Sequence, residues 1–221
     1  MSSVSMRLAV IALGLAGLSA CSYAVAPTPA AAVNIYTSFP EQIPGRWLLV
    51  IDEGARQVKR TVKPSSHECR AHKYPMDVGA SVTESLKSTI DAVFDEVVVR
   101  TSMSSDEALR AENIAGSILV RLENFQPRAS CQFGLFSFPC TASTDLSFGV
   151  SVRGPSGQLF GGTAGSTKTA DGSAGGACGK ISDLLAQSFE NAEREALERL
   201  AEKLSNSDRI RASVAPARTP Q

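Results

Sequence analysis

Apolar residues fall along the chain in blocks whose spacing predicts a succession of elements. Trp47-Leu48-Leu49-Val50-Ile51 is an unbroken apolar run of five. A run that short, with no polar side, predicts a buried strand. Asp52-Glu53-Gly54 turns the chain, and Gln57 to Val62 predicts a second, more polar strand that Pro64 ends. Ser81 and Glu84 stand at capping-box spacing, so each side chain can satisfy a free N–H of a helix start. Val82, Leu86, Ile90, Val93 and Phe94 then recur at helical spacing on one face. Val97-Val98-Val99 follows at once and predicts another buried strand, giving a strand–helix–strand order over residues 47–101. Ser104 to Glu112 has helix-forming residues in a short stretch.

The second half of the chain changes period. Ile114 to Phe125 alternates in part, and Thr141 to Arg153 puts Leu146, Phe148, Val150 and Val152 on one side. Pro155-Ser156-Gly157 is a turn, and Leu159 to Thr169 returns as a Gly- and Thr-rich, half-exposed strand. These three strands predict an antiparallel meander. A long helix from Lys180 to Leu204 carries the stripe Ile181, Leu184, Leu185, Ser188, Phe189, Ala192, Ala196, Leu200 and Leu204. Its other side, with Glu190, Glu193, Arg194, Glu198, Arg199 and Glu202, has the spacing of a solvated charged face. The expected fold class is α+β: an antiparallel or mixed sheet with two main helices packed on one face.

Both flanks differ from this body. Pro27, Pro29, Pro40 and Pro44 block regular structure over residues 22–45. The expected form is a tether with a coil-like span of about 25–30 Å. Ile35, Tyr36 and Phe39 offer an alternative, docking as a short edge strand on the body. Residues 206–221 are polar and Pro-containing and read as a disordered tail.

The first residues read as an address. Met6-Arg7 precedes an apolar run of 11 residues, Leu8 to Leu18. That is shorter than the roughly 20 residues a membrane-spanning helix needs, and it matches the core of a secretory signal. Leu18-Ser19-Ala20-Cys21 closes the run. This motif resembles the bacterial lipobox. The resemblance implies cleavage before Cys21, diacylation of its thiol and acylation of the new N-terminus. Ser22, rather than Asp, favours the outer membrane, with the body in the periplasm. The expected organisation is a signal peptide at 1–20, a lipid anchor and tether at 21–45, a body at 46–205 and a tail at 206–221.

Charge and composition narrow the partners. The 221 residues hold 22 Lys plus Arg against 22 Asp plus Glu, a formal net charge of +0, so no global field holds nucleic acid. Hydrophobic residues at 43% suit a globular body, while 6% aromatics, with Trp47 the single tryptophan, disfavour sugar-stacking platforms.

Apart from Cys21 the chain holds Cys69, Cys131, Cys140 and Cys178. An even count in an exported chain suggests two disulfides, with three possible connectivities. Cys131–Cys140 is favoured because it closes a short loop between predicted antiparallel strands. Cys69–Cys178 is then the second bridge. His67, Cys69 and His72 are metal-ligand types, but their spacing matches no standard zinc pattern, so no metal or cofactor is expected. There is no Gly-x-Ser-x-Gly elbow, and Gly161 to Thr169 lacks phosphate-loop spacing. No catalytic residue is expected, and the chain reads as a non-enzyme. Phe133, Leu135, Phe136 and Phe138 lie inside the expected Cys131–Cys140 ring. They are candidates for a partner or membrane contact. The alternative is that they fold back over one end of the sheet.

The order of elements behind a lipobox resembles the YajG-like lipoproteins and the auxiliary lipoproteins of envelope ABC transporters. Leu48-Leu49-Val50-Ile51, the stretch Val78 to Leu86, Val97-Val98-Val99 and the final helix carry that likeness. It implies a non-catalytic accessory or assembly subunit of an outer-membrane transport or surface-structure machine, with an envelope protein as partner. A lipid-transfer ABC auxiliary lipoprotein is the alternative, and a cell-wall enzyme the alternative of another class. The four further cysteines and the Ala/Pro-rich stretch depart from the group.

Overall fold

The computed structural model describes residues 22–134, 138–174 and 178–214. The elements run β1 Ile43–Ile51, α1 Glu53–Arg56, β2 Lys59–Val62, β3 Tyr74–Asp77, α2 Gly79–Val93, β4 Phe94–Arg100, α3 Asp106–Ala111, β5 Ile114–Cys131, β6 Pro139–Gly154, β7 Gly157–Ser173, α4 Ile181–Ser205 and α5 Asp208–Val214. The main sheet has the order β4-β1-β5-β6-β7, and β2-β3 form a separate two-stranded sheet. β1 is parallel to both β4 and β5, whereas β5, β6 and β7 form the antiparallel meander. The sheet is therefore mixed, and the fold is α+β.

The five-residue apolar run owes its character to burial on both faces. Trp47, Leu49 and Ile51 join the main core, while Leu48 and Val50 pack with Leu109 and Ile114 on the other face. The short helix α3 supplies Leu109, so a single turn and a half of helix closes the back of β1. The main core lies between the sheet and the long helices. Phe125 and Phe189 meet edge to face across it, with ring centroids 5.7 Å apart.

Four expectations need correction. Ser81 is not the cap of α2, which starts at Gly79 with no side-chain cap. A Cβ at residue 79 would stand 2.0 Å from the Arg56 carbonyl oxygen, so glycine there lets the helix begin two residues early against α1. The valine run is not fully buried: β4 is an edge strand, and Val99 is exposed. Residues 206–214 are not a disordered tail. They carry α5, whose Ile210 is fully buried, and residues 215–221 lie outside the described residues. Finally, residues 22–42 are not a free tether but lie on the body, with Val25 and Ala30 buried.

Candidate functional site

The chain after residue 21 is strapped to the body from its first described residue. Ser22 bridges to Lys73 and Val25 to Met76, both parallel, which adds a third short strand beside β3. The Tyr23 amide donates to the Lys73 carbonyl at 2.9 Å. Its ring lies 5.5 Å from that of His72 and 5.8 Å from that of Tyr74. The Tyr74 hydroxyl donates to the Cys178 carbonyl at 2.7 Å. Burial, then the neighbouring Tyr23, push its pKa up to about 12.

The strap next runs along α2 with matched repeats. The Ser81 hydroxyl donates to the Thr28 carbonyl at 3.2 Å. The Ala30 amide donates to Ser85 Oγ at 2.8 Å, and the Ala32 amide to Thr89 Oγ1 at 3.1 Å. Two extended residues advance roughly 6.6 Å, and four helical residues advance about 6 Å. Partners at 28, 30 and 32 therefore meet 81, 85 and 89 without strain. From the α4 side, Glu190 accepts from the Thr28 amide at 2.7 Å and Glu198 from the Asn34 amide at 3.0 Å. The Ser38 amide donates to Asn206 Oδ1 at 2.8 Å. Arg211 closes the path, donating to the Glu41 carbonyl at 3.0 Å with its guanidinium 4.1 Å from the Phe39 ring centre.

Glu193 lies beneath this strap. Placed by spacing on a solvated face, it is fully buried. Its Oε2 lies 3.5 Å from Ser81 Oγ, while Oε1 has no partner among the described residues. Burial pushes its pKa up to about 8, against the weaker pull of Ser85, Ala30 and Ser81. The strap covers a side of α4 that the sheet leaves open, so the helix is covered on two sides.

Both disulfides gather at one end of the sheet. Cys131 and Cys140 are direct cross-strand partners and are bonded to each other. Cys69 is bonded to Cys178 across 109 residues of chain. These are the pairs favoured from the sequence. Cys69 and Cys178 both hold left-handed backbone, φ 48° and 59°, a conformation that costs a non-glycine residue about 1–2 kcal/mol. The bridged segment also grips the outer edge of β5. The Ser65 amide donates to the Ala129 carbonyl, and the Cys131 amide donates to Ser66 Oγ, each at 2.9 Å.

Phe133 and Phe138 stand in this same end, with ring centroids 5.8 Å apart and edge to face. They divide the two readings of the loop. Phe138 is half-buried and packs against the core, its carbonyl accepting from the Ala174 amide at 2.9 Å. Phe133 is 72% exposed. Leu135, Phe136 and the proposed lipidation site Cys21 lie outside the described residues.

Other candidate chemistry is dispersed or engaged. Cys69 is oxidised and so offers no thiolate to a metal beside His67 and His72, and the described residues hold no cluster of three or more metal-ligand side chains. The sheet face opposite the long helices is polar over β5–β7. It holds an open depression of about 210 Å³ beside Arg121, Glu123, Ser151 and Thr163. Glu123 fills the space over Gly149 and accepts from Thr163 Oγ1 at 2.9 Å. The docking at Tyr23 and the buried Glu193 escaped the sequence reading. Ser81, Ser85 and Thr89, a polar i, i+4, i+8 row beside the apolar stripe of α2, were the signal of a partner there.

Neither protein-family models nor curated proteins match the chain. Among solved structures it is similar to a Xanthomonas campestris protein of family DUF330, at 12% identity and TM-score 0.44, over 86% of this chain and 96% of that one. It is also similar to a putative neuraminyllactose-binding hemagglutinin homolog from Helicobacter pylori, at 7% identity and TM-score 0.40, over 78% and 92%. A minor lipoprotein from Acinetobacter baumannii aligns at 14% identity and TM-score 0.32, over 79% and 96%. At these identities and scores the likenesses say nothing of what this chain does.

Proposed function

We propose that this chain is exported, cleaved before Cys21 and held on the outer membrane by acyl chains on Cys21, its body in the periplasm. There it serves as a non-catalytic accessory or assembly subunit of a transport or surface-structure machine. The observation that carries the anchoring is Leu18-Ser19-Ala20-Cys21 closing a short apolar run. Two disulfides fit an oxidising compartment. No helix among the described residues is long and apolar enough to cross a membrane. Several acyl chains hold a protein stably where one does so marginally. A binding role draws support from β4, an outer strand of the sheet with Val99 exposed, since such an edge can accept a partner strand.

Globomycin, which blocks the lipoprotein signal peptidase, tests the anchoring: unprocessed precursor should accumulate, and unchanged processing would refute it. Affinity capture from detergent-solubilised envelopes tests the role. A porin-like or secretion component is expected. An ABC permease would move the protein to the lipid-transfer auxiliary class, and peptidoglycan cleavage without a partner would replace the reading with an enzyme.

A further inference from the structure

We infer that the disulfide-bearing end of the sheet lies directly on the lipid surface, with Phe133 entering the headgroup region as a second contact beside the acyl anchor. This rests on the proposed acylation of Cys21. Cys21 is one peptide bond from Ser22, about 3.8 Å between Cα atoms, and Ser22 and Tyr23 are already paired to Lys73. No slack remains between the anchor and the body.

The residues that hold Ser22 lead straight to the exposed phenylalanine. Lys73 precedes Tyr74, whose hydroxyl reaches Cys178. Cys178 is bonded to Cys69, and the segment just before Cys69 holds Cys131 through Ser66. Phe133 is two residues on. A body tied this closely at Ser22 presents this end to the bilayer. An aromatic ring that is 72% exposed beside a half-buried one suits the interface, where aromatic side chains collect. Lys63, Arg70 and Lys73 stand at this end against Glu68, Asp171 and Asp183, so the named charges cancel and the contact rests on the aromatic ring and the anchor.

The test uses the full-length chain with Phe133→p-benzoylphenylalanine, illuminated in intact envelopes, and mass spectrometry of the peptides. Thr163→p-benzoylphenylalanine is the reference. Thr163 is exposed and lies nine residues along β7 from Gly172, the partner of Cys140, hence about 30 Å from the bridged end. Phospholipid adducts at 133 in at least tenfold excess over 163 are expected. Protein adducts at 133, or lipid adducts no more frequent than at 163, would overturn the inference. The mass of the N-terminal peptide separates the two levels. Acyl chains on Cys21 without lipid adducts at 133 defeat this inference and leave the anchoring intact, whereas an unmodified Cys21 removes both.

Discussion

The two ends of the β5–β7 meander solve different problems. At one end β6 returns to β7 through a turn ending at Gly157, whose φ of 111° suits glycine and around which an added Cβ would meet nothing. No cross-link is needed there, because turn chemistry alone reverses a strand. At the other end β5 returns to β6 through a disulfide-closed loop. A second disulfide ties the approach to α4 to the segment before β3, and the N-terminal strap begins there. Phe133 stays exposed. Strand reversal requires none of this. The covalent and apolar features gather at the end that we propose to lie on the lipid surface.

The contrast predicts a graded set of losses. Cys69→Ala with Cys178→Ala opens a loop of 109 residues and should lower unfolding free energy by about 4–5 kcal/mol in urea titrations. A loss matching that of the other bridge would break the account of this end. Glu193→Gln addresses the strap away from the bridges. The Glu193 carboxyl is raised from 4.5 to about 8, so its favourable contribution is full below pH 4.5 and is lost as pH rises through 8. The native protein should therefore lose roughly 3–5 kcal/mol between pH 4.5 and 9 that Glu193→Gln does not lose, read by melts at both pH values.

Cys131→Ala with Cys140→Ala opens a loop of only 9 residues and should cost about 2–3 kcal/mol on the same urea scale. At the far end Gly157→Ala forces a side chain into positive φ and should cost about 1–2 kcal/mol by thermal melting. The smallest effect sharpens the comparison most. Phe133→Ser should leave the melting of the protein in detergent within about 0.5 kcal/mol, because the ring is mostly exposed. A large loss would return Phe133 to the role of core cover.

Much of the fold was legible where local pattern and burial agree. The Trp47–Ile51 run, the Leu146–Val152 alternation and the α4 stripe each name a buried face, and the structure buries each. What stayed illegible was set by distant chain. Gly79 starts α2 because it touches the Arg56 carbonyl, a contact no local spacing shows. Glu193 is buried because an extended segment some 160 residues earlier covers it, and that segment, rich in proline and alanine, has no periodicity of its own. β3 escaped notice because Pro75 interrupts it. Pro75 pairs opposite Thr61 on a strand of four residues, and its carbonyl accepts from the Val25 amide at 2.9 Å, so distant chain on both sides holds a strand that proline argues against. The bridges were legible through loop proximity, whereas the role of Tyr23 in seating the strap beside them was not.

Neutron reflectometry of the full-length acylated protein on a supported bilayer tests the central claim, that the anchor and the body are joined without slack. Protein density should begin at the headgroups, with no solvent layer between. A hydrated gap of about 25–30 Å, the span of a free coil over the strap, would contradict the account.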